Sequence, residues 1–319
     1  MQINNRKSSE EILDFSASLN PYPPKNDWDP LSVSISEYPD DSFYELKRSI
    51  AVNFRCDPEE ICVGNGSIEV IRSYFHAVLN SGEKVAVDKH TFGEYNLSVI
   101  LAGGSCVDLN SPDYSARVIC NPNNPTGFLI HKGEMLEIAR EEYENGRLLF
   151  LDEAFMDLSD TNETLIGCRQ PGTFISRSIT KSFAVPGIRF GFGIGEPDLI
   201  EKIEIVRTPW TVNSFAVAYC IEAMKHYGEL EYSRKMIMTE KEWLYNRFED
   251  LGLEYLPSST NFVLLKCPVP ASEFTNSLLD YNIFVRDCTS FGLPYHIRIA
   301  VRKKDENMQL MEAVESCLF

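Results

Sequence analysis

Thr173-Phe-Ile-Ser-Arg177-Ser178-Ile179-Thr180-Lys181-Ser-Phe183-Ala184-Val185-Pro186-Gly187-Ile-Arg189-Phe-Gly-Phe-Gly-Ile194 reads as a strand, a bend carrying one lysine, and a second strand. Residues 173–177 and 190–194 are short apolar runs, the pattern of strands buried on both faces. A lysine in a loop is ordinarily a solvated surface group. Lys181 instead has Ile179, Phe183 and Val185 as neighbours and Arg189 downstream. Desolvation and nearby positive charge both lower an amine's pKa and make it nucleophilic.

Working outward, further apolar runs occur at 84–88, 117–121 and 147–152, with helical stretches at 67–80, 132–145 and 197–206. Strands that lack polar alternation and alternate with helices predict an α/β fold, a mainly parallel sheet sandwiched by helices. The character changes after Trp210. Helices are predicted at 213–228, 229–251, 271–281 and 304–317, with strands at 261–266, 283–286 and 296–301. Residues 38–210 therefore read as a large domain, and 211–319 with 1–37 as a small α+β domain that includes an N-terminal arm. The arm holds four prolines within residues 20–30, which enforce an extended or turning path.

Composition narrows the function. A net charge of −17 argues against nucleic acid and anionic membranes as partners, while leaving room for anionic small molecules held by local arginines. The nine cysteines are odd in number, scattered and without a Cys-x-x-Cys, which fits a reducing cytoplasm rather than a disulfide framework or thiolate metal site. The five histidines show no metal spacing, so no metal is expected. The opening residues have no apolar run of the secretory type, and no stretch is long enough to span a bilayer. Gly191-Phe-Gly-Ile-Gly195 mimics a dinucleotide fingerprint, but Glu196 occupies its last glycine position and no helix begins inside it.

Several residues before Lys181 carry chemistry of their own. Gly64-Asn-Gly66-Ser67 follows a strand-like run and opens a helix; it is either a phosphate seat of free amides or an ordinary turn capped by Ser67. Asp152 closes the apolar run 148–152, where α/β sheets place ligands, although Asp is also a common turn residue. Asn124 lies in Asn121-Pro-Asn-Asn-Pro-Thr-Gly127, a turn-rich loop with an amide donor. Phe92 is either a ring that stacks on a ligand or a core aromatic. Arg286 and Arg298, each on a predicted strand, are surface ion-pair partners or a clamp for two anionic groups. A lysine, a carboxylate and an amide at strand ends are the parts that hold pyridoxal phosphate (PLP). An ionised Asp keeps the pyridine nitrogen protonated, the amide donates to the phenolate oxygen, and Ser178, Thr180 and Arg189 grip the phosphate.

Together these blocks resemble the fold-type-I PLP enzymes of the class I/II aminotransferase superfamily, over residues 14–307. Within it the chain is similar to the branch holding histidinol-phosphate aminotransferases and L-threonine-O-3-phosphate decarboxylases. The resemblance implies that Lys181 attaches the cofactor, Asp152 pairs its ring nitrogen, Asn124 meets its phenolate oxygen and Phe92 stacks on its ring. It implies a phosphate cup of Gly66, Ser67, Ser178 and Arg189. It assigns Tyr38 to the cofactor phosphate of a neighbouring subunit, hence a homodimer with shared active sites. It makes Arg298 and Arg286 anion contacts of a small phosphorylated amino acid or amine substrate, and Asn20 part of the arm that closes over that substrate.

The stretches Asp14-Phe-Ser-Ala-Ser-Leu-Asn-Pro21 and Ala184-Val-Pro-Gly187, with Phe155, look more like the decarboxylases. That implies conversion of an O-phosphorylated amino acid, L-threonine O-3-phosphate, to (R)-1-amino-2-propanol phosphate and CO2 in corrinoid biosynthesis. The alternative is an aminotransferase of the histidinol-phosphate type. A non-catalytic regulator of the same fold would lack a reason to keep Lys181, Asp152 and Asn124 together.

Overall fold

The computed structural model describes residues 12–318, so the first residues, read above as lacking a leader, lie outside the described part. The chain begins with β1 (Leu13–Asp14), α1 (Tyr44–Phe54), β2 (Ile61–Gly64), α2 (Ser67–Val78) and β3 (Lys84–Val87). It continues through α3 (Glu94–Leu101), β4 (Ser105–Val107), β5 (Ala116–Cys120), α4 (Lys132–Glu144) and β6 (Leu148–Asp152). Next come β7 (Thr173–Ser178), α5 (Ile179–Ser182), β8 (Gly191–Ile194), α6 (Pro197–Val206), α7 (Ser214–Lys225) and α8 (Leu230–Asp250). The last elements are β9 (Tyr255–Leu256), β10 (Phe262–Lys266), α9 (Ala271–Leu279), β11 (Ile283–Phe284), β12 (Arg286–Asp287), β13 (His296–Ala300) and α10 (Lys304–Leu318).

Seven strands form the main sheet in the order β2-β8-β7-β6-β5-β3-β4. All run parallel except β8, which is antiparallel to both its neighbours. Side chains alternate between two apolar layers, as the two-residue period of a strand requires. Leu149, Leu151 and Ile175 join a cluster with Leu46 and Ile50 of α1. Phe150 and Phe174 point the other way, into a cluster with Val70 and Tyr74 of α2 and Ile200 of α6. Both faces being covered, the strands carry unbroken apolar runs and were legible as such. The glycines of the false fingerprint serve packing. A Cβ at Gly193 would lie 2.1 Å from the Phe174 ring, and one at Gly191 would lie 2.3 Å from the backbone nitrogen of Ser67.

The second sheet is β12-β13-β10-β9, wholly antiparallel, with β1 pairing β11 beside it. The arm thus contributes a paired strand here, and Phe15 is fully buried in the apolar cluster that holds Val263 and Ile299 of this sheet. The predicted strand 283–286 divides at Val285: β11 pairs β1, whereas β12 pairs β13. A division of the sequence at 210 does not coincide with the change of core. Val212 and Ala216, Cys220 and Ala223 of α7 pack with α1 in the large-domain cluster. The changeover occurs along α8, whose Leu230 belongs to the first core and whose Ile237, Leu244 and Phe248 belong to the second. Continuous helix hides such a handover, because both halves show the same apolar periodicity.

Candidate active site

The parallel strands end at one edge of the main sheet, which brings Cys120, Asp152 and Ser178 together. Cys120 is opposite Asp152, and Ser178 and Gly64 both pair with Gly191. Over this edge lies a cavity of about 580 Å3, closed on its far side by β12, β13 and the arm. Its walls include Gly66, Ser67, Phe92, Asn124, Asp152 and Lys181, and also Ser178, Thr180, Arg189, Arg286 and Arg298.

Lys181 is on the short helix α5, which Ser178 caps by accepting from the Thr180 amide at 3.3 Å. The turn that follows holds Ala184 and Arg189 at φ 55° and 62°, left-handed conformations that are costly away from glycine and that cluster at working sites. Burial pushes the Lys181 amine down to about 8, and the charges of Arg298 and then Arg189 add to the effect. The amine is therefore substantially neutral near pH 8, as a nucleophile needs to be.

Asp152 is buried, and burial pushes its carboxyl above the ordinary range. Two donors oppose that: the Tyr95 hydroxyl at 2.7 Å from Oδ2 and the Ala154 amide at 2.9 Å from Oδ1. Tyr95 itself is fully buried. A carboxylate held this way favours a cation beside it, which a pyridinium N–H provides.

The turn expected to hold a phosphate is built by close approach. Gly66, at φ 79°, precedes the first residue of α2, and a Cβ there would lie 2.6 Å from Nη2 of Arg189. Gly191 lets the Ser67 amide come against β8. Ser67 does not cap α2, as the sequence suggested: the cap position is Gly66, without a side-chain bond, and Ser67 is the first helical residue. Its free first-turn amide suits an anion.

Opposite this cup are two arginines whose Cα atoms are direct cross-strand partners, Arg286 on β12 and Arg298 on β13. Arg298 is buried over the Phe262 ring, donates from Nη2 to the Ser16 carbonyl at 2.8 Å and from Nη1 to Oδ1 of Asn124. That bond directs the Asn124 amide nitrogen away from Arg298 (the amide orientation follows from the hydrogen bond). Burial pushes the Arg298 guanidinium down to about 10, and Arg286 adds to it. Arg286 donates to the Ser290 hydroxyl at 2.7 Å and lies over the Phe291 ring. Neither arginine has a carboxylate partner among the described residues, whereas Glu94, at the rim, is paired with Arg72 at 3.1 Å. A buried cation without an anion marks a place for one.

Two sequence-predicted residues lie elsewhere. Asn20 is buried, and its Nδ2 donates to the Ser182 carbonyl at 2.7 Å while its amide donates to the Lys181 carbonyl at 2.9 Å. It braces the lysine helix, and Ser16 and Ala17 of the arm face the cavity instead. Tyr38 is 80% exposed, packed on Trp210, and outside this chain's cavity. Tyr95, Ser16, Ser290 and Phe291 were not singled out in the sequence. Tyr95 had a weak signal: it lies three residues after Phe92, near the start of the helix that follows that ring. The others depend on non-local pairing.

These groups fit PLP: a lysine amine of lowered pKa, a twice-bonded buried carboxylate, an amide with its N–H2 free of Arg298, and a glycine-lined cup beside Arg189. The family described as aminotransferase class I and II matches residues 31–314. The histidinol-phosphate aminotransferase of Symbiobacterium thermophilum is 31% identical over 303 residues, covering 90% of this chain and 84% of that protein. A Caldanaerobacter subterraneus protein named "Putative threonine-phosphate decarboxylase" is 34% identical, covering 93% of this chain and 88% of its own length. The crystal structure of the histidinol-phosphate aminotransferase from Clostridium acetobutylicum superimposes with a TM-score of 0.86 at 27% identity, covering 96% and 98% of the two chains. A PLP-dependent enzyme by fold, site and relatives, the chain belongs to the class I and II aminotransferase family.

Proposed function

We propose that the chain is a homodimeric PLP-dependent decarboxylase of an O-phosphorylated amino acid, L-threonine O-3-phosphate being the substrate that suits it best. The observation that carries this reading is the Arg286–Arg298 cross-strand pair, two cations facing one cavity without carboxylate partners among the described residues. A phosphorylated amino acid offers two anions on one small molecule, a carboxylate and a phosphate, and a planar guanidinium can take either bidentately. The 34% identity to the Caldanaerobacter protein supports the same choice. So does Phe155, buried at the wall with its ring edge-on to Phe262, because it brings no hydroxyl to the phenolate side.

When bound, PLP supplies an electron sink for the bond that breaks at the substrate α-carbon. The chain decides which bond that is. Arg298 anchors one anion deep in the cavity and Arg286 the other at its mouth, and together they fix the rotation about the α-carbon. An orientation that offers the carbon–carboxylate bond to that sink would favour loss of CO2, and Lys181 Nζ, in its ammonium form, would be placed to deliver a proton to the α-carbon. Asp152 keeps its negative charge throughout, held by Tyr95 and Ala154. Tyr38, exposed on Trp210, is offered to the phosphate cup of a second copy of the chain.

The aminotransferase reading has its own support, since the Symbiobacterium and Clostridium relatives are both named histidinol-phosphate aminotransferases. Purified protein with PLP and phosphothreonine, without any keto acid, separates the two. Release of CO2 with aminopropanol phosphate is expected. No release, together with 2-oxoglutarate-dependent turnover of histidinol phosphate, refutes the decarboxylase.

A further inference from the structure

We infer that His90 is a positioning residue for the substrate, a clasp that sets Arg286 by holding the loop beneath it to the cofactor-side loops. The inference rests on the assignment of Arg286 as an anion contact. His90 follows β3 and is half-buried, two residues before Phe92. Its Nδ1 lies 2.7 Å from the Phe291 carbonyl oxygen. A carbonyl only accepts, so Nδ1 carries the proton and donates.

The loop that His90 holds carries the parts of the Arg286 mount. Ser290 accepts from Arg286 at 2.7 Å, and the Phe291 ring lies under its guanidinium, 5.3 Å from ring centre to Cζ. Gly292 follows at φ 75°, and a Cβ there would come within 3.2 Å of the His90 ring. The fit between ring and loop is therefore tight. The other side of His90 is equally committed. Asn123 donates to the His90 carbonyl at 3.0 Å and accepts from the Thr91 hydroxyl at 2.8 Å. Asn123 precedes Asn124, and Thr91 precedes Phe92. One residue thus joins three loops: those of the stacking ring, of the amide, and of the outer arginine.

Neither the cofactor nor the substrate is within the reach of His90 itself, since it does not line the cavity. Its effect passes through Phe291 and Ser290 to Arg286. Loss of the Nδ1 bond releases the loop, and the outer anion is met less often by a correctly placed guanidinium. The expected signature is a weaker grip on substrate with chemistry intact.

The test uses the PLP-loaded enzyme and whichever phosphorylated substrate, phosphothreonine or histidinol phosphate, the wild type turns over. His90→Ala should raise KM about 5- to 10-fold, the worth of one well-placed hydrogen bond, with kcat and PLP affinity within about 2-fold of wild type. His90→Gln, whose amide can still donate, should recover most of the loss. In an Arg286→Ala background, which should itself raise KM, His90→Ala should add nothing. An unchanged KM in His90→Ala, a fall in kcat or PLP affinity instead, or full additivity with Arg286→Ala overturns the clasp. If Arg286→Ala alone leaves KM unchanged, the anion-contact assignment has failed and the clasp falls with it. A decarboxylase reading that fails while histidinol phosphate is turned over leaves the clasp standing on that substrate.

Discussion

Tyr95→Phe removes one oxygen and tests the centre of the site. The hydroxyl donates to Asp152 Oδ2 at 2.7 Å inside a wholly buried pocket, and the substitution keeps the ring that packs edge-on to Phe92 and against Phe150. Asp152 then keeps the Ala154 amide, at 2.9 Å, and the smaller pull of the Arg177 charge against the burial that drives its carboxyl upward. A hydrogen bond to a charged acceptor contributes roughly 1.5–3 kcal/mol, because the acceptor is otherwise left desolvated. That loss falls on the ionised form of Asp152, the form that under the proposed function would hold the ring nitrogen protonated and the electron sink strong. If half of it is felt at the transition state, turnover falls about 4- to 13-fold. The assay is kcat together with the pH dependence of cofactor absorbance. The acid limb of the profile should move to higher pH, since the remaining donor opposes protonation less. Wild-type kcat with an unshifted acid limb would refute the idea that Tyr95 maintains the charge on Asp152.

Two further outcomes follow from the geometry. Covalent attachment of PLP to the apoprotein should accelerate as pH rises through about 8, where Lys181 is half neutral, and level off roughly one to two units higher; Arg298→Leu, which removes the second-ranked cause of that low value, should move the curve to higher pH in a stopped-flow titration. Gly191→Ala should cost about 1–3 kcal/mol in a denaturant melt and weaken PLP binding more than substrate binding. Its Cβ would meet backbone at Ser67, which cannot rotate away.

Much of the site was legible because its residues are local signals at the ends of strong elements. Lys181, Asp152 and Asn124 each follow an apolar run, and parallel strands deliver their C-terminal ends to one edge whatever the loops do. Gly66 and Arg189 were readable for the same reason, flanking a strand-to-helix turn and a bend. The helix α3 and the strand β4 went unread, since eight mostly apolar residues and three residues carry too little periodicity. Ser67 was read as a cap when the turn before it belongs to Gly66, a distinction that backbone dihedrals make and residue type does not. Asn20 was read as facing substrate; burial turned its amide onto the Ser182 carbonyl, satisfying a backbone group that has no helical partner.

By itself the sequence determined the fold class, the cofactor chemistry and the order of the working residues, because these depend on apolar periodicity and on side-chain types at strand ends. Tertiary structure decided what no local pattern encodes. The register of β12 on β13 made a pair of Arg286 and Arg298, the close approach of α3 placed Tyr95 on Asp152, and the contact of His90 with Phe291 joined the two sides of the cavity. The last two join segments far apart in the chain, and the first depends on strand register, so all three are set by how sheets and helices pair and pack rather than by local pattern.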